Sequence, residues 1–280
     1  MEKAIKRYFP IFVLPTMIAF TLGFIIPFVE GVYLSFCKFT TVNDAKFIGF
    51  ANYAKVFADE TFVHAFWYTA AFTVVSVILI NVLAFAVALL LTKGFKGTNI
   101  VRTVFFMPNL IGGIVLGYIW QLLLNGILMK FSRTLTYSST YGFWGLIILM
   151  CWQQIGYMMI IYIAGIQNIP GELIEAAEID GATKWQILKK VTIPMVMPSI
   201  TVCTFLTLTN SFKLFDQNLA LTNGEPSKMS EMLALNIFYT FYGRTGYEGV
   251  GQAKAVIFFI LVTVIALTQN YLTRRKEVQQ

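Results

Sequence analysis

The residues of this chain best suited to directed chemistry are amides, hydroxyls and an indole set inside apolar runs. Trp152, Gln153, Gln154 and Tyr157 fall at or just below the middle of one run, and Thr204, Thr207, Asn210 and Ser211 extend from the middle of another toward its outer end. Cys203, Thr207 and Asn210 follow the i, i+4, i+7 spacing of one helical face, and Thr204, Thr207 and Ser211 share an adjacent stripe. Polar groups at bilayer depth are costly and face either a cavity or another helix. An aromatic ring beside amides and hydroxyls suits a sugar, whose ring face stacks while its hydroxyls take directional bonds. Hydrogen bonding between helices would use the same residue types, and the sequence leaves both uses open.

Covalent chemistry is not indicated. The single histidine, His64, has no serine or cysteine constellation around it, and Cys37, Cys151 and Cys203 have neither metal-ligand spacing nor an even disulfide framework. No Gly-x-x-x-x-Gly-Lys-Ser/Thr loop is present to cradle nucleotide phosphates, so any ATP and Mg would be used by a separate subunit. No catalytic, cofactor or metal site is expected in this chain. Lys213 and Asp216, at i, i+3, read as a snorkelling lysine with a local acid near the outer end of the fifth run. The centres of the runs then carry no charge, which favours a neutral solute over a phosphate or carboxylate.

The elements that must position these residues are membrane spans. The chain is 57% hydrophobic and 12% charged with a mean hydropathy of +0.70, well outside the range of soluble domains. A span needs roughly 20 apolar residues, and six candidate runs are present: 10–36, 64–91, 103–124, 141–167, 195–212 and 255–273. The expected fold is all-α and polytopic, one transmembrane domain over residues 1–280, with the N-terminal run kept as an uncleaved first helix. Cations recur at alternate ends: Lys3, Lys6 and Arg7; Lys93, Lys96 and Arg102; Lys184, Lys189 and Lys190; Arg274, Arg275 and Lys276. The positive-inside rule makes those segments, and so both termini, cytoplasmic. The net charge of +7 therefore serves topology and lipid headgroups, and nucleic acid is not an expected partner.

One long stretch between the runs is polar with strong helical patterning, residues 168–194 between the fourth and fifth spans. Pro170 suits a first helical turn, Glu172, Glu175 and Glu178 follow at helical spacing, and Gly181 interrupts the run. A second short helix can start at Thr183 as N-cap and end before Pro194. Ala176, Ala177, Ile174 and Ile179 form a slim apolar face that could lie close in a partner's groove.

The order Glu175-Ala176-Ala177, then Gly181, then Ile193-Pro194 resembles the EAA signature of permease subunits of binding-protein-dependent ABC importers, of the maltose and multiple-sugar type. Three further segments match that family: Gly49 with Asn52-Tyr53; Arg102 through Phe105-Phe106 to Pro108; and Phe215-Asp216 through Leu221-Thr222-Asn223-Gly224-Glu225-Pro226, where Glu225 replaces the usual glycine. The sequence also reads the last segment as an external turn. The resemblance implies a multi-pass protein of the bacterial cytoplasmic membrane in which residues 168–194 hold a coupling helix, with Glu175, Ala176, Ala177, Asp180 and Gly181 meeting the ATPase. It implies a second permease, two ATPase subunits, an external solute-binding protein and a carbohydrate substrate. Alternatives are an importer of a glycerol phosphate ester or polyol, and, outside the class, a stand-alone channel or ion-coupled carrier. A carrier calls for mid-membrane carboxylates and repeat symmetry, neither of which is evident in the sequence.

Overall fold

The structure, a computed structural model, describes residues 2–94 and 96–275. Lys276, one of the topology cations, lies outside the described residues. The helices are α1 (Glu2–Phe20), α2 (Ile26–Leu34), α3 (Ala51–Phe57), α4 (Glu60–Leu91), α5 (Thr98–Phe106), α6 (Gly113–Leu128), α7 (Ser139–Gln167), α8 (Gly171–Ile179), α9 (Lys184–Ile187), α10 (Ile193–Met195), α11 (Met197–Phe212), α12 (Asp216–Leu221), α13 (Leu233–Gly243) and α14 (Glu248–Arg274). The strands among the described residues are β1 (Cys37–Lys38) and β2 (Lys46–Phe47), paired antiparallel with Cys37 opposite Phe47. Among the described residues, five segments are long and apolar enough to cross a membrane: Ile11–Leu34, Glu60–Leu91, Gly113–Phe131, Ser139–Gln167 and Glu248–Arg274. The pair Lys184–Met195 and Met197–Phe212, bent by 69°, passes the same test together, and its second helix carries the sixth crossing. The expected all-α, six-span architecture is present.

Local sequence explains which spans stay straight. α4 contains neither Gly nor Pro over its 32 residues and ends at Thr92-Lys93-Gly94, where Gly94 takes a φ of +66°. The third span was expected as one kinked helix over 103–124, and here the structure differs. α5 stops at Phe106, Met107–Leu110 form a 3-10 turn around Pro108, Ile111 is extended, and α6 starts afresh at Gly113. Pro108 lacks the N–H that would continue the α-helical ladder, and the flanking Gly112 and Gly113 disfavour a helix interior. A π-turn over Leu188–Thr192, with Pro194 and Pro198, similarly sets the 69° bend into α11.

The chain forms two compact units. The smaller contains residues Met1–Glu60 and Ile237–Ile260. Its centre is Asn52 on α3, buried, whose Nδ2 donates to the carbonyls of Ser35 (2.9 Å) and Cys37 (2.8 Å). Gly249 passes so close that a Cβ there would lie 2.7 Å from Asn52 Nδ2. The Gly-x-x-Asn-Tyr segment thus acquires a structural role, with Tyr53 Oη 2.7 Å from Ser35 Oγ. Lys254, fully buried, makes an ion pair with Asp59 at 2.8 Å and donates to Thr240 Oγ1 at 2.8 Å. In the 38–46 loop the backbone N–H groups of Thr40 and Thr41 donate to Asp44 and hold its carboxyl below the usual range.

The larger unit contains Thr61–Asn236 and Leu261–Gln280. α7 is its axis, with Leu146, Leu149, Met150, Met158, Met159 and Tyr162 all buried. Glycines on α7 set the spacing of its neighbours. A Cβ at Gly156 would overlap the carbonyl of Phe105 and sit 2.7 Å from the Phe106 nitrogen, so α5 lies backbone to backbone on α7. Gly113 and Gly117 likewise admit α12 against α6, whereas Gly112 has open space around it. Because backbone cannot yield as a side chain can, Gly156→Val is expected to lower complex stability by about 3 kcal/mol or more, above ordinary overpacking. Gly112→Ala should be nearly silent. Thermal unfolding of the detergent-purified complex checks both.

Candidate functional site

Gln153 is the central residue of the 29-residue α7, and two broken spans meet at its level. Ile111, in the break between α5 and α6, presents its carbonyl to Gln153 Nε2 at 3.4 Å. α11 runs antiparallel to α7: a Cβ on Gly165 would lie 3.0 Å from Ser199 Cβ, and Asn210 Nδ2 donates to Gln154 Oε1 at 3.4 Å. Between those contacts α11 climbs 11 residues, about 16 Å. Its last residue, Phe212, has reached only the midpoint of α7.

The chain turns through Lys213, Leu214 and Phe215 and resumes as α12. Gln217 Nε2 donates to Gln153 Oε1 at 2.8 Å, so α12 starts at that same level. It then follows α6 outward. Asp216 abuts Gly113, Ala220 abuts Gly117, Gln121 Nε2 donates to the Leu221 carbonyl at 3.0 Å, and Thr222 reaches Gly142 near the start of α7. The expected external turn from Phe215 to Pro226 is therefore corrected. Its first half is a helix with Asn218, Ala220 and Leu221 buried, and it completes the fifth span. Lys213 and Asp216 are corrected with it, because they flank a mid-membrane break instead of an outer helix end. Central charge is present after all, as one lysine and one aspartate.

Six of the eight polar residues singled out from the sequence separate into two groups, with Tyr157 and Thr204 apart from both. Thr207 and Ser211, both fully buried, tie α11 to α4: Asn81 Nδ2 donates to Thr207 Oγ1 at 2.9 Å, and Ser211 Oγ lies 2.8 Å from Ser76 Oγ. Tyr162 completes that contact by donating to Asn81 Oδ1 at 2.6 Å. Trp152, Gln153, Gln154 and Asn210 gather instead at the two breaks. Trp152 is 45% exposed, stacks edge-on at 5.6 Å to Trp120, and with Val104, Phe105, Pro108 and Ile155 lines an open groove of about 190 Å³. Tyr157 is half-buried with its ring 6.4 Å from that of Phe106, and Thr204 is half-buried on α11. Gln121, Gln217, Lys213 and Asp216 belong to the same region. Their signals in the sequence were the Pro108…Gly112-Gly113 interruption and the charges at 213 and 216.

The polar loop adopts the expected helix, turn, helix. α8 ends in a Schellman turn: Gly181 has a φ of +75°, its N–H donates to the Glu178 carbonyl at 3.0 Å, and the Ala182 N–H donates to the Ala177 carbonyl at 3.0 Å. Thr183 caps α9 in a reciprocal box with Gln186. The apolar face of α8 is divided. Ile174 and Ala177 are half-buried, with Ile174 packed on the core, whereas Glu172, Glu175, Ala176 and Ile179 form an outward stripe and Glu178 flanks it. Ile179 is 86% exposed and Trp185 70%, large apolar surface for a loop outside the spans. Ala177, Asp180 and Gly181 border a groove of about 260 Å³ between the helices.

Residues 80–278 match the family described as binding-protein-dependent transport system inner membrane component. The chain belongs to that family. It is 42% identical over 278 residues to the "Probable starch degradation products transport system permease protein AmyD" of Thermoanaerobacterium thermosulfurigenes, covering 96% of this chain and 94% of the relative. It is 28% identical to the "Multiple sugar-binding transport system permease protein MsmF" of Streptococcus mutans, covering 99% of each. A solved bacterial ABC transporter that imports the acidic polysaccharide alginate shares the fold, with a TM-score of 0.82 at 23% identity and 98% coverage of both chains. This permease is thus a multi-pass transport component of the cytoplasmic membrane. The family's description makes it the inner-membrane part of a transport system that depends on a binding protein.

Gly181 interrupts the helical run as the sequence indicated, and the reason lies in its backbone. Nothing lies within 4 Å of where its Cβ would be, so only the left-handed backbone demands glycine. Gly181→Asn, which tolerates that conformation, should keep the Schellman bonds, and Gly181→Val should weaken them by about 1–2 kcal/mol. Amide exchange at residues 181 and 182 reads this directly, as roughly 5–30-fold faster exchange in the valine variant only.

Proposed function

We propose that this chain is one of two permease subunits of an ATP-driven importer, passing a neutral sugar or oligosaccharide from an external binding protein to the cytoplasm. The observation that carries the substrate reading is the coincidence of two helix breaks at one mid-membrane level, around Gln153. Discontinuous helices in transporters free backbone groups and place side-chain amides where a solute crosses. Here the breaks bring together an indole, five glutamines or asparagines, and one cation with one anion, a set that pairs with hydroxyls and carries no net charge. The names of the starch-product and multiple-sugar relatives support the same class. Thr207 and Ser211, occupied between α11 and α4, contribute as packing in this reading.

Residues 168–194 are the docking element for the ATPase in the same proposal, with Glu175, Ala176 and Ile179 on the approaching face and Trp185 beside them. ATP and Mg belong to two partner ATPase subunits, and this chain binds neither. Closure of the ATPases would push α8, and the push reaches the substrate region along the continuous chain through the bent α10 and α11.

Two measurements test these halves separately. Gln154→Leu removes the acceptor of Asn210 and leaves sugar hydroxyls unpaired in a dry site, so uptake should fall by about 1–3 kcal/mol equivalent, roughly 5–150-fold, with complex yield unchanged. Lower yield with unchanged uptake per assembled complex would mean that Gln154 is only a packing residue. Glu175→Ala should release the ATPase by truncating a desolvated interface charge, about 2–5 kcal/mol, while Glu178→Ala on the flank should retain it. Copurification at several salt concentrations decides the second test, and equal retention of both variants would remove the interface role from Glu175.

A further inference from the structure

A second site lies at the outer ends of α6 and α7, remote from both regions above. Between them runs an apolar groove of about 250 Å³, whose walls include Ile127, Leu128, Leu135, Tyr141, Trp144 and Ile148. Ile148 stands nine residues into α7, so the groove reaches about 14 Å down from the helix start, within the outer leaflet. At its upper end the α6 to α7 connection carries Arg133. Ser132, in the left-handed conformation at φ 55°, closes the turn after α6, and the Arg133 N–H donates to the Leu128 carbonyl at 3.2 Å.

The Arg133 guanidinium is held without being consumed. It donates to the Tyr141 hydroxyl and lies over the rings of Tyr137 and Tyr141, 5.1 and 5.7 Å from their centroids. Those rings meet edge to face at 6.0 Å, which fixes the platform. A guanidinium has five donors in a fork that matches phosphate. Lys130 is a second exposed cation on the same connection, and residues 126–145 contain no acid. An apolar trough of leaflet depth beneath a cation and tyrosine rim is complementary to one kind of molecule, an anionic amphiphile.

We propose that this groove binds an anionic phospholipid of the outer leaflet, one acyl chain lying along Ile127, Trp144 and Ile148 and the headgroup phosphate engaged by Arg133 with Lys130 nearby. Arg133 positions the headgroup, while Trp144 and Ile127 bound the chain. Native mass spectrometry of the purified transporter complex with phosphatidylglycerol or phosphatidylcholine tests this. The wild type should retain phosphatidylglycerol in preference. Arg133→Gln should weaken that retention roughly tenfold, as expected for a charge-assisted bond. Ile127→Trp, at an exposed position, should reduce retention of both lipids by filling the trough. Equal retention of the two lipids by the wild type, or unchanged phosphatidylglycerol retention in Arg133→Gln, would overturn the proposal. So would a photo-crosslinker at Ile127 that captures the second permease instead of lipid.

Discussion

In hydrocarbon a backbone N–H or C=O without a partner has no water to turn to, and the larger unit is arranged around that constraint. Two of its spans stop being helical at the centre of the bilayer. Each break leaves peptide groups that the helix ladder no longer serves, and the side chains gathered there are those able to serve them. Gln153 is the clearest case, because one amide donates to the Ile111 carbonyl of the first break and accepts from Gln217 beyond the second. The polar residues of α7 are therefore part of what permits the breaks. In the proposed function the same groups would meet the solute by exchanging a partner at a break for a hydroxyl.

Close approach is the second requirement. α5 and α12 are short, and neither could bury enough apolar side-chain surface to stay in place by itself. Glycine makes up the difference: Gly156 brings the α5 backbone onto α7, and Gly113 and Gly117 bring α12 onto α6. These contacts are close van der Waals packing, backbone on backbone at Gly156 and side chain against glycine at Gly113 and Gly117, the interaction that remains when lipid removes the hydrophobic drive for helices to associate.

The spans and the loop were legible in the sequence because transfer energy and capping chemistry act locally. Runs of apolar residues located six crossings, and Thr183 and Gly181 marked helix ends that the structure contains. The breaks were not legible, because hydropathy measures the cost of moving side chains into lipid and is nearly blind to whether the backbone between them is continuous. The third run stays apolar straight through Pro108. In the fifth, Lys213 and Asp216 looked like a membrane boundary, since charge normally marks one, and the helix was ended at the right residue but at the wrong depth. Asn52 was a related case: the motif was visible, but its two carbonyl partners at Ser35 and Cys37 come from a turn that only the fold creates.

The same geometry gives the cytoplasmic loop a mechanical lever. Ile174 is packed on the core while Ile179 and Trp185 are exposed, so α8 is anchored on one face and loadable on the other. The chain leaves the loop through α9 and a π-turn, and bends by 69° before α11. α11 is then held to α4 by Thr207 and Ser211 and ends at the break beside Gln154. In the proposed function a displacement at the loop would arrive at a helix held at those two hydroxyl contacts, between which Asn210 meets Gln154. Straight spans would pass the motion on to the outer face. In the proposed function, a helix that ends level with the middle of α7 would deliver it to the groups proposed to hold a solute.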